Sequence, residues 1–174
     1  MAFDGFHLMF PQKEIGYWSQ QYPVDWDQQA LLAGKKIREE RNFSRSNLEI
    51  IVRWKSQRRA GLIAKNSSDE ISDALDLALR AREPRSAFAV LEGLRGVATP
   101  VASAILTAID QERFTVIDYR ALEALGAPNS QPDLNFYLDH YFPECKRLAS
   151  EAQVSLSTLD RALGSWSAKK GTKA

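Results

Sequence analysis

One cysteine, Cys145, stands in the whole chain. A single thiol forms no internal disulfide, and it excludes a cysteine-ligated zinc and a four-cysteine iron–sulfur cluster. Cys145 is expected to be a small buried residue. Histidines are almost as scarce. His7 and His140 have no partner at metal-ligand spacing, so both are expected to be structural, and no metal or other cofactor is expected. No apolar run reaches the ~18 residues that a bilayer span requires, so no membrane partner is expected. The first ten residues carry Asp4 and His7 in place of a basic stretch followed by an apolar core, unlike a secretory signal. Together these absences lead us to expect a cytoplasmic protein, with a monomer as the favoured state.

What is present is ordinary globular composition: 44% apolar and 26% charged residues over 174 positions. That length suffices for one cored domain, or a domain with an arm. Net charge is only +1, but it is unevenly spread. Between Lys35 and Arg59 stand nine basic residues and three acidic ones. Such a local positive field suits a polyanion such as nucleic acid, and it equally describes a solvated helical face.

Met1 to Trp26 is rich in aromatics and carries Pro11 and Pro23 without a clean period. It reads as an irregular arm, 1–26. Apolar stripes at helical spacing follow. Helices are expected over Asp27–Arg41 and over Asn47–Ala60, the second ended by Gly61. Ser67-Ser68-Asp69-Glu70 forms a capping box ahead of Ile71–Arg82. Pro84 is expected to stop that helix, with Ser86 capping the next. Further helices are expected from Pro100 to about Asp110, Asp118 to Leu125, Pro132 to Tyr141, Glu144 to Ala152, and Thr158 to Leu163 after a Ser157 cap. Only Phe114 to Ile117 looks extended. The fold class is therefore all-α, a helical bundle whose main domain runs over 27–164, with 165–174 as a flexible tail.

The stretch Leu94-Arg-Gly-Val-Ala-Thr-Pro-Val-Ala-Ser-Ala-Ile-Leu106 joins two apolar helices with almost no linker. So short a turn needs a residue without a Cβ, which Gly96 supplies. Thr99 is expected as N-cap, with Pro100 opening the helix. The unpaired amides at such a turn form an anion site without side-chain charge. The same residues also make a plain αα-hairpin with a buried valine.

This stretch, followed by Phe114-Thr-Val-Ile-Asp-Tyr-Arg-Ala-Leu-Glu-Ala-Leu-Gly126, resembles the helix-hairpin-helix DNA glycosylase superfamily, the group that includes endonuclease III. In that family a Leu-x-Gly-Val-Gly turn binds DNA backbone, and about twenty residues later an aspartate does the chemistry. Here Gly96 and Asp118 stand 22 positions apart. Upstream, Leu48 to Ala60 resembles the family's helix ending in Leu-Ser-x-Gln, with Ser56-Gln57 in that place. The resemblance covers roughly Asn47 to Gly126, under half the chain. It implies DNA as partner, with a modified base flipped out of the duplex. It also implies a DNA-binding set of Gly96, Val97, Ala98, Thr99, Lys55, Gln57, Arg58 and Arg59, a base pocket near Trp54, Ser56 and Tyr119, and Asp118 as the catalytic carboxylate.

Three departures shape that reading. The turn's usual second glycine is Ala98, which fits only with negative φ. The position of the family's Schiff-base lysine holds Pro100, which implies a monofunctional enzyme. The segment between Arg59 and Gly96 is short by one or two helices, so the aromatic arm is expected to complete the base pocket. The residues keep their plainer readings beside these. Asp118 can be an N-cap and nothing more, Trp54 a core residue, and Lys55, Arg58 and Arg59 surface charge. A non-catalytic DNA-binding module and a protein that binds a partner through its arm are the alternatives to an enzyme.

Overall fold

The computed structural model describes residues 3–171, and all regular structure among them is helical. In chain order the α-helices are α1 (Ile15–Gln20), α2 (Gln28–Glu39), α3 (Arg45–Lys55), α4 (Gln57–Ile63), α5 (Ser68–Arg80), α6 (Pro84–Glu92), α7 (Thr99–Ile109), α8 (Tyr119–Ala124), α9 (Leu134–Phe136), α10 (Phe142–Glu151) and α11 (Leu156–Gly171). A 3-10 turn precedes α1, and a π-helical segment, Tyr137–Tyr141, joins α9 to α10. No helix is long and apolar enough to cross a membrane among the described residues.

The chain divides into two compact units. One unit is Val24–Phe114. The other joins the residues up to Pro23 with those from Thr115 onward.

In the Val24–Phe114 unit the central element is α7. It is apolar all round, so it buries every residue from Thr99 to Ile109 except Pro100. α2, α3 and α6 pack against it. α2 approaches closely because Gly34 faces the α7 backbone at Ala108. α3 contributes Leu48, Ile51 and Val52, all fully buried. The predicted capping box closes as expected: Glu70 N–H donates to Ser67 Oγ at 3.0 Å, and Ser67 N–H to Glu70 Oε2 at 2.6 Å. Two expectations are corrected. The helix read over Asn47–Ala60 is two helices, broken at Ser56, whose backbone is extended (φ −159°, ψ 103°). Gly61 lies inside α4 and does not end it. Pro84 opens α6 at its first turn, where its missing N–H costs nothing, and Ser86 is no cap.

In the other unit the aromatic N-terminal stretch is partly helical, and α1 packs on α11. Phe10 meets Trp18 and Trp166 with ring centroids about 6 Å apart. This packing explains a further correction. The last helix does not stop near Leu163 with a loose tail after it. It starts at Leu156, capped by Ser155, whose Oγ accepts from Thr158 N–H at 3.0 Å, and it continues to Gly171. Ser167 Oγ donates to Glu123 at 2.5 Å, and Lys169 Nζ to Gln21 at 3.1 Å. The residues 172–174 of the expected tail lie outside the described ones.

Cys145 is fully buried, as expected, and so are Tyr137 and Tyr141. Burial is the main reason that all three hold their protons far more tightly than usual. The sign follows from linkage. In the unfolded chain a thiol ionises near pH 8.5 and a phenol near pH 10. Above those values unfolding releases protons that the folded chain retains, so the stability these groups contribute is present below about pH 8.5 and falls as pH rises. The urea midpoint is expected to drop steadily between about pH 8.5 and 11. A midpoint that stays flat over that range contradicts the assignment.

Candidate functional site

Within the Val24–Phe114 unit the tight turn after α6 is built as the sequence requires. Gly96 takes φ +89°, a conformation L-residues rarely adopt. A Cβ there would also lie 2.8 Å from Leu62 Cβ and 3.3 Å from the Arg59 carbonyl oxygen, so the turn is pressed directly against α4. Val97 is buried, and its N–H donates to Leu94 O at 3.2 Å. Ala98 is exposed with φ −109°, so it meets the condition under which alanine replaces glycine without strain. The cap lies one residue earlier than expected. Ala98 precedes the helix, Thr99 is its first residue, and Thr99 Oγ1 donates to Glu92 Oε1 at 2.5 Å instead of capping. The amides of Gly96, Ala98 and Thr99 have no protein acceptor among the described residues. Thr99 is the first residue of α7, and free amides at a helix start suit an anionic oxygen.

A residue that the sequence did not point to holds this turn in place. Asn66, buried at 3% exposure, accepts from Arg95 N–H at 2.8 Å through Oδ1. Its Nδ2 donates to Arg95 O at 3.0 Å and to Ile63 O at 3.1 Å. The residue before Gly96 is thus clasped on both its backbone groups from the end of α4. Arg45 completes the clasp from below, donating to Ile63 O at 3.1 Å and Asn66 O at 2.6 Å. Arg45 is therefore an anchor.

Much of the basic window is likewise engaged. Lys35 and Arg38 pair with Glu39, Arg53 with Glu49, and Arg41 with Asp76. Arg58 and Arg59 have no ion-pair partner among the described residues, and they stand on α4 beside the turn. Gln57 and Arg58 are exposed on the first turn of α4, immediately after the extended Ser56. Trp54, Lys55, Ser56 and Arg59 are half-buried. The structure therefore gathers Gly96, Ala98, Thr99, Gln57, Arg58 and Arg59 in one unit.

Asp118 belongs to the other unit, with Tyr119. Phe114 to Ile117 is buried and has no regular structure, and Asp118, itself extended (φ −153°, ψ 177°), follows it half-buried as the N-cap of α8. Its Oδ1 accepts from Ala121 N–H at 2.9 Å. The carboxylate is thus held in one orientation at the positive end of a short helix. Tyr119 is 63% exposed.

No family profile, curated protein or solved structure matches this chain.

A cleft of about 620 Å³ also lies in the Asp118 unit, lined by Phe3, Phe136, His140 and the Gly126–Asp133 loop. Asp4, Asp133 and Asp139 line it and no lysine or arginine does, so it suits no polyanion. Asp133 caps α9, its Oδ1 accepting from Phe136 N–H at 2.8 Å. His140 packs against Phe3 and Phe136. No group of residues able to hold a metal occurs among the described ones.

Proposed function

We propose that the chain is a monofunctional DNA glycosylase-like protein that hydrolyses the N-glycosidic bond of a modified base. The observation that carries the reading is the oriented, half-exposed Asp118 carboxylate, 22 positions after a turn with three unclaimed amides. Those amides and the unpaired Arg58 and Arg59 suit phosphodiester oxygens. Gln57 and Arg58, exposed at the start of α4, suit the role of filling the gap that a flipped nucleotide leaves.

In the reaction the C1′–N bond breaks with its electron pair leaving on the base, and positive charge develops on the sugar. A fixed carboxylate stabilises that charge and accepts a proton from the water whose oxygen bonds to C1′. Pro100, half-buried on the first turn of α7, has no amine to form a Schiff base.

The test is incubation with duplexes that carry a panel of modified bases, then hot alkali to cut abasic sites. The wild-type chain is expected to release a base from at least one duplex. Asp118→Asn retains the cap and is expected to slow release by about 100-fold or more. Salt-sensitive duplex binding without release on any member of the panel points instead to a non-catalytic DNA-binding module.

A further inference from the structure

The segment ahead of Asp118 is buried, and no strand lies beside it among the described residues. Two tyrosine hydroxyls serve it instead. Tyr137 Oη donates to Thr115 O at 2.9 Å and lies 3.4 Å from Thr115 N. Tyr141 Oη donates to Val116 O at 2.6 Å. Both rings have zero exposure, and their centroids are 5.7 Å apart.

Tyr137 and Tyr141 bound a π-helical segment, a rare local form often found at functional sites, and their hydroxyls reach adjacent carbonyls. Burial keeps the Tyr141 phenol protonated, and the nearby carboxylates of Asp160 and Asp118 add to this. The π segment thus holds the backbone at Thr115 and Val116, three and two positions ahead of Asp118.

Resting on the glycosylase reading above, we infer that Tyr137 and Tyr141 are positioning residues, which set the Asp118 carboxylate through the Thr115 and Val116 carbonyls. Neither touches substrate in this role. The hydroxyls act on the rate of base release and not on the grip on DNA.

The test uses the full chain as Tyr141→Phe, which keeps the ring and removes one hydroxyl, with Tyr137→Phe as the second variant should the first fail to fold. Single-turnover release is measured on whichever panel duplex the wild type cleaves, and duplex Kd in parallel. Release is expected to fall at least tenfold with Kd within twofold. A release rate within twofold of wild type overturns the inference, and so does a rate that falls only in proportion to Kd.

Should the wild type release no base at all, the glycosylase reading fails and amide exchange decides the positioning claim by itself. The reporter is Ala121 N–H, which Asp118 Oδ1 accepts, read against the Leu163 amide in α11 as a reference for opening of the same unit. Protection of Ala121 lost at least tenfold more than that of Leu163 supports a positioning role. Equal change at both amides leaves the tyrosines as packing alone and overturns it.

Discussion

Gly34→Ala is expected to lower the stability of the Val24–Phe114 unit by about 4 kcal/mol, beyond the usual range for overpacking. The reason is which atoms stand in the way. A Cβ on Gly34 would lie 2.8 Å from the Ile109 nitrogen and well inside contact distance of the Ala108 carbonyl. These are backbone atoms in the last turn of the buried helix α7, so no rotamer change relieves the collision. α2 must move away from α7. Ala30, Ala33 and Ile37, all buried on α2, move with it. A radial gap of about 0.5–1 Å already forfeits a quarter to a half of each dispersion contact. Against a total stability of about 5–15 kcal/mol such a loss leaves the unit marginal. Gly61→Ala is the matched control. Nothing lies within 4 Å of its Cβ position, and Gly61 stands inside α4. There alanine is expected to add about 0.5–1 kcal/mol. Urea unfolding followed by circular dichroism reads both variants. A loss under about 1 kcal/mol at Gly34 would mean that the two helices are not packed as closely as described.

The α2–α7 approach shows what a sequence of this kind reveals and what it hides. That these segments are helices follows from the stripes of Ile71, Ala74, Leu75 and Ala78 and from the all-apolar run in α7, because helical period is a local property. The same holds for the turn at Gly96, the Ser67 capping box and the Asp118 cap, each of which announces itself within four residues. The break at Ser56 has no such signal. Lys55, Gln57 and Arg58 are good helix formers on both sides, and nothing local interrupts them. The π-helical form of Tyr137–Tyr141 depends on two carbonyls some twenty residues away in sequence, at Thr115 and Val116. The length of α11 depends on Trp166 meeting Phe10 from the other end of the chain. In the candidate site the same division applies. Gly96 and Asp118 were legible from their own neighbourhoods. The neutralisation of Arg41 by Asp76 was not, since the partner lies 35 positions away. Asn66 was missed for the same cause: a single polar residue between helices has no period, and only its partners reveal its work.

Those partners make Asn66→Ala the second large effect. The substitution removes three hydrogen bonds at once, two from Nδ2 and one to Oδ1. Each is worth about 1 kcal/mol net, and a buried group left without a partner costs a further 1–3 kcal/mol. Ile63 O retains the Arg45 guanidinium, so that acceptor is not abandoned. The Arg95 N–H and C=O lose their clasp together, and the expected loss is about 3 kcal/mol. Asn66→Asp separates the two halves of the clasp. It keeps an acceptor for Arg95 N–H but turns a carboxylate oxygen toward two carbonyls, so it is expected to be at least as damaging as alanine. The functional consequence is separable from the stability loss, because Arg95 is the residue before Gly96. With the clasp gone, the turn keeps the contact of Gly96 with α4 and the bonds of the Arg95 side chain to Lys65 O and Glu70, but the Arg95 backbone is released, so the amides of Gly96, Ala98 and Thr99 are expected to be less firmly held. At a temperature where both proteins are fully folded, plain duplex affinity is expected to fall at least fivefold in Asn66→Ala, with a shallower dependence on salt. Fluorescence anisotropy with a labelled duplex measures both quantities. If stability falls as expected but affinity and salt dependence do not move, the turn is only a hinge between α6 and α7. The phosphate contacts then have to be sought on the exposed cations of α4.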